Sequence, residues 1–172
     1  GTTTSDRVYN SNRVATLVTT NSVITNGAAS ANDNKFYTAD TVSLVKTGAA
    51  ATFADKNVAN GKAVTVTGFS LTGADAANYS LVQPTDLTAN ITKADLVVTG
   101  ITASNRVYNA TDVAVLGGTA AITRLGSDVV TIGGTAAGTF ADKNVGNGKA
   151  ITITGVTISG TDAGNYLSLI HI

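Results

Sequence analysis

The side chains that could carry chemistry in this chain are few, and their types narrow the choice before any fold is considered. A hydrolytic triad needs a nucleophile and a base to activate it, yet the 172 residues contain no Cys, no Glu and a single His, His171. Every acidic side chain is Asp. Paired carboxylates can do acid and base work, but Asp55 and Asp75, like Asp142 and Asp162, sit in contexts where Asp is expected for its hydrogen bonds to a turn backbone. The expectation is a protein that is not an enzyme, with no catalytic residues.

Oxygen-rich loops suit calcium, and the densest cluster is Asn32, Asp33, Asn34 and Asp40. It lacks a full calcium-loop pattern, so turn formation is the preferred reading and no metal or other cofactor is assigned. Lys62 and Lys149 are candidates for a Lys–Asn cross-link, which wants a buried acid beside it; they read instead as solvated lysines after a turn. The pieces LGGTAA and IGGTAAGTF have neither the Lys-Ser/Thr ending nor the following helix of a phosphate loop and read as flexible strand connections. Eleven basic side chains balance eleven acidic ones, so no net field draws in nucleic acid or an anionic membrane. No apolar run approaches the roughly 20 residues of a membrane span. Sequons at Asn78, Asn90 and Asn109 matter only in a glycosylating host.

The elements that must position these residues come in two copies. FADKNVANGKAVTVTGFSLTGADAANY from Phe53 returns as FADKNVGNGKAITITGVTISGTDAGNY from Phe140, and RVYN at Arg7 returns at Arg106. Such internal repetition assigns two modules, here residues 1–92 and 93–166. The first copy carries about twelve extra residues, placed in a loop insertion around 21–35. Val64 and Val66 alternate with Thr65 and Thr67, as do Ile151 and Ile153 with Thr152 and Thr154, which is the period of a half-buried strand. After Gly68 and Gly155 the apolar phase slips by one, as a bulge or strand bend requires. The order G-x-D-A-x-N-Y then places Asp75 before Tyr79 and Asp162 before Tyr166, which resembles the tyrosine corner of immunoglobulin-like sandwiches. Ser80 to Val82 are expected to continue that strand. With 43% apolar and 13% charged residues, and short strands between turn signals, the expected fold is all-β: two tandem immunoglobulin-like β-sandwich modules.

Each module is expected to lack a terminal strand. The first has no equivalent of ADLVVT, and the second none of QPTDLTANI. The chain opens at Gly1 without Met or a signal peptide and reads as an excised fragment. Residues 167–172, LSLIHI, break the repeat and match a translation of the transposon-end adapter of short-read library preparation, so natural sequence is expected to stop at Tyr166.

The order VTGITASNRVYN, TFADKNVGNGKAITITGVTISGTDAGNY and SLVQPTDLTANITKA resembles the YDG repeat of large bacterial surface adhesins of the filamentous-haemagglutinin type. The name-giving Tyr-Asp-Gly is replaced here by Tyr9-Asn10-Ser11 and Tyr108-Asn109-Ala110. Gly tolerates a positive φ, whereas Ser and Ala do so poorly. The resemblance implies an extracellular protein at the bacterial cell surface, in which the repeats form a stalk holding a distal binding region away from the cell. Its partners are then neighbouring repeats of the same chain. The other reading is a binding module that contacts a glycan or a surface protein through the loop around 21–35.

Overall fold

A computed structural model describes residues 1–27 and 34–170, and the chain divides into two compact units. Unit 1 comprises Gly1–Val8 and Asn12–Thr92; unit 2 comprises Tyr9–Ser11 and Lys93–Ile172. Both are built from strands, with single turns of 3-10 helix at Ala76–Asn78 and Ala163–Asn165. The fold is all-β and of the sandwich type.

In unit 1 the strands are β1 (Thr3–Ser5), β2 (Arg7–Val8), β3 (Val14–Val18), β4 (Asn26–Gly27), β5 (Phe36–Tyr37), β6 (Ser43–Val45), β7 (Ala50–Phe53), β8 (Ala59–Thr67), β9 (Ser70–Thr72) and β10 (Leu87–Thr92). Six of them form a sheet in the order β1-β3-β7-β8-β10-β2, while β6 pairs with β9 and β4 with β5. The alternation in β8 sends Val64 and Val66 into the core and leaves Thr65 and Thr67 exposed. Each buried valine contributes about 1.5–3 kcal/mol relative to exposure. At Gly68, with φ +87°, the chain leaves β7 and resumes as β9 against β6. The one-residue slip is therefore a change of pairing partner, and it buries Phe69. A Cβ at Gly68 would collide with the Gly48 carbonyl.

Unit 2 contains β11 (Ala94–Ala103), β12 (Val113–Ala114), β13 (Leu116–Ile122), β14 (Thr131–Phe140), β15 (Ile151–Ser159) and β16 (Tyr166–Ile170). They form two three-stranded sheets, β13-β11-β16 and β12-β14-β15. The slip at Gly155 is absorbed inside one continuous strand, opposite a register shift between Gly134 and Ala137. Gly134 and Gly155 both have positive φ, and a Cβ on Gly134 would meet the Gly155 carbonyl oxygen. Two facing glycines are what this bulge requires.

Two expectations from the sequence are corrected. The Gly-rich pieces are not flexible connections: LGGTAA lies in β13 and IGGTAAGTF in β14, and each is paired in an antiparallel ladder on both sides of a bulge. Small side chains let backbones approach closely at the bulges, which composition alone reads as looseness. Ser80 to Val82 do not continue as a strand. Their counterparts in unit 2 do, because β16 lies parallel to β11 with Ala94 beside Tyr166 and Val98 beside Ile170. Among the described residues Ser80–Val82 have no such neighbour, and Val82 stays 82% exposed.

Candidate functional site

The repeated polar residues converge on one construction in each unit. In unit 1 a tight turn closes with the Asp40 N–H donating to the Tyr37 carbonyl at 2.9 Å. The Tyr79 hydroxyl donates to Asp40 Oδ2 at 2.6 Å, and the Tyr37 N–H donates to the same phenol oxygen at 2.8 Å. Unit 2 repeats it. The turn from Leu125 to Asp128 closes at 3.1 Å, the Tyr166 hydroxyl donates to Asp128 Oδ2 at 2.6 Å, and the Leu125 N–H donates to the Tyr166 oxygen at 3.0 Å. One phenol thus satisfies both ends of a four-residue turn and ties it to the segment that follows the 3-10 turn.

A second clamp sits next to the first. Asp75 Oδ2 accepts the Thr41 N–H at 2.8 Å and Asp162 Oδ2 accepts the Val129 N–H at 2.9 Å, in each case the residue just after the corner aspartate. The return bonds run from the Asp75 N–H to the Thr41 carbonyl and from the Asp162 N–H to the Val129 carbonyl. Gly73 and Gly160 precede these aspartates with φ near +117° (+118° and +116°), where a side chain would strike the same carbonyls. The G-x-D-A-x-N-Y motif is therefore a double latch.

The two corners differ in one respect. In unit 2 a second phenol, that of Tyr9, donates to Asp128 Oδ2 at 2.7 Å. Its ring meets Tyr166 edge to face, with centroids 5.4 Å apart at 76°, a geometry that contributes about 0.5–1.5 kcal/mol beyond burial. Tyr9, Asp128 and Tyr166 are all at most 3% exposed. Burial first, then the hydrogen bond to Asp128, pushes the Tyr166 phenol up to about 12. In unit 1 Asp40 and Tyr79 are half-buried, and burial together with Asp40 raises the Tyr79 phenol above its ordinary value. The ring beside Tyr79 is Tyr37, at 6.4 Å.

The loops after FADKN hold a third repeated construction. Lys62 Nζ pairs with Asp55 Oδ1 at 2.7 Å, and Lys149 pairs with Asp142 and also donates to the Asn144 carbonyl at 2.7 Å. The side chains of Lys62 and Lys149 are only 8% and 16% exposed, which corrects the expectation that they are solvated. Their aliphatic stems lie along the module while the ammonium closes the turn. These ion pairs hold Asp55 and Asp142 below the usual carboxylate range.

Tyr79, Tyr166, Asp75 and Asp162 form the latches, and Gly68 and Gly155 sit at the strand switch and the bulge. Of the calcium candidates, Asn32 and Asp33 lie outside the described residues, Asn34 is exposed with φ +61°, and Asp40 receives the Tyr79 phenol. The residues that the motif reading missed are Asp128, Tyr9 and Arg7 with its counterpart Arg106. Arg7 stacks on Phe53 at 5.0 Å and Arg106 on Phe140 at 5.2 Å, and each guanidinium also braces its own RVYN turn. The available signal was their recurrence in both copies, since Asp40 aligns with Asp128 and Tyr9 with Tyr108. Chemically, these groups hold turn backbone in both units.

No curated protein and no solved structure matches this chain. The YDG domain matches it twice, over residues 1–87 and 92–168. With both copies covered, the chain belongs to the YDG domain family.

Proposed function

We propose that the two modules are structural units of a stalk or spacer in a secreted bacterial surface adhesin of the filamentous-haemagglutinin type. The observation that carries this reading is where the repeated polar residues go. Asp40 and Asp128, Asp75 and Asp162, Tyr79 and Tyr166, and the Asp55–Lys62 and Asp142–Lys149 pairs all serve hydrogen bonds or ion pairs that lock turns. A module whose recurrent chemistry is used internally is suited to bearing load. Neighbouring repeats are its partners, and it acts without catalysis.

A second reading, ligand capture through the insertion around 21–35, is favoured by one observation. Unit 1 has a groove of about 870 Å³ lined in part by Val23 and Ile24 of that insertion. A glycan array and a panel of matrix proteins, probed with the full chain and with a variant lacking residues 21–35, separate the two. The spacer reading expects no binding by either; binding that disappears with the deletion overturns it.

A further inference from the structure

We propose that the Asp40–Tyr79 corner of unit 1 is a docking site for the RVYN tyrosine of another YDG repeat, and that Tyr108 is a donor of the same kind. The inference rests on the spacer reading and names its partner as a second copy of this repeat.

Unit 2 supplies the pattern. Its corner is complete only with Tyr9, which comes from the RVYN segment of the first copy and belongs to unit 2. Asp128 there accepts two phenols, and the tyrosines are buried. In unit 1 the equivalent aspartate accepts one phenol among the described residues, and the corner is half-open beside the groove lined by Val42, Leu44, Phe69, Leu71 and Leu81. A carboxylate oxygen can accept more than one hydrogen bond, so Asp40 has capacity for a second hydroxyl.

The donor side is equally specific. Tyr108 is 53% exposed, against 2% for Tyr9. Yet the turn that follows the tyrosine is built as in the docked copy. Ala110 has φ +66° where Ser11 has +60°, and Arg106 braces the turn through Asn109 and Thr111 as Arg7 braces its own through Asn12 and Val14. A strained backbone that persists at an exposed site is preorganised for contact. Mixed repeats would then propagate tyrosine to corner, each RVYN completing another module.

The geometry of unit 2 also provides the test. A Cβ on Gly126 would stand 3.6 Å from the Ser11 Cβ, within the separation a disulfide spans. The chain has no cysteine of its own. Ser11→Cys with Gly126→Cys in one chain is therefore the internal control. By position in the repeat, Ala110 corresponds to Ser11 and Thr38 to Gly126. Full chains carrying Ala110→Cys and full chains carrying Thr38→Cys are mixed with oxidised glutathione, two thiols giving one disulfide as the glutathione is reduced.

The expected result is a heterodimer in clear excess over both homodimers. Tyr108→Ala in the donor, at an exposed site where the fold does not depend on it, should lower the yield by about tenfold, as loss of an aromatic anchor does. The proposal is overturned if the control closes while the heterodimer is no more abundant than the homodimers, if the yield ignores Tyr108→Ala, or if the control itself fails to close. Glycan binding alongside normal cross-linking would instead remove the spacer reading and leave the docking site standing.

Discussion

Asp128→Ala is the perturbation that tests the corner most directly. Asp128 is 3% exposed and accepts the hydroxyls of Tyr9 at 2.7 Å and Tyr166 at 2.6 Å. Deleting the carboxylate strands two buried donors, each costing about 1–3 kcal/mol when left unmade, so the loss should be about 2–6 kcal/mol. The equivalent Asp40→Ala strands one phenol in a half-buried corner that water can reach, and should cost about 0.5–1.5 kcal/mol. Whole domains are stable by only about 5–15 kcal/mol, so the first change threatens unit 2 and the second does not threaten unit 1. Hydrogen exchange followed by mass spectrometry in the full chain reads β7 and β8 separately from β14 and β15. A double-mutant cycle with Tyr9→Phe should show coupling, since neighbours in one network are not additive. The reasoning is refuted if Asp128→Ala costs no more than Asp40→Ala, or if Asp128→Ala and Tyr9→Phe add without coupling.

Other perturbations address the remaining constructions. The Tyr166 phenol is raised from its ordinary value of 10 to about 12, so its contribution to stability is fully present below about pH 10 and is lost as pH climbs towards 12. Comparing unfolding of the wild type and Tyr166→Phe across that window checks it, and equal pH profiles would count against the buried corner. Ser11 and Ala110 hold φ of +60° and +66°, a region that costs an L-residue about 1–2 kcal/mol. Part of that gain is offset by the greater freedom of glycine in the unfolded chain, so Ser11→Gly and Ala110→Gly should each stabilise by up to about 1 kcal/mol in urea titrations; a loss of stability would contradict the assigned backbone. Asp55 and Asp142 are held low first of all by the hydrogen bonds from Lys62 and Lys149. Their stabilisation is present above the ordinary carboxylate range and fades as pH falls through the depressed values. Carboxyl NMR titration of a Lys62→Met variant should show Asp55 returning upwards, and an unmoved titration would mean the ion pair is not what holds it.

Much of the fold is legible in the residues because strand periodicity and repetition are local signals. The alternation of Val64 and Val66 with threonines fixes which side chains enter the core, and the slip at Gly68 and Gly155 announces an interruption in both copies. The same letters did not reveal that Gly68 marks a change of partner strand while Gly155 sits in a bulge within one strand. That difference depends on which backbone lies opposite. The lysines were misread for a related reason: Lys62 looks solvated by type, and only its position against the Asp55 turn buries the stem.

By itself, the sequence determined the two modules, their β character, and the absence of Cys and Glu. Those properties follow from composition and from spacing along the chain. Tertiary structure decided that Asp40 and Asp128 receive the corner tyrosines, and that Tyr9 completes unit 2 although it lies far from Asp128 in sequence. Hydrogen bonds over such separations are set by how strands pair and turns close, so RVYN shows a repeated tyrosine without showing the carboxylate that holds it.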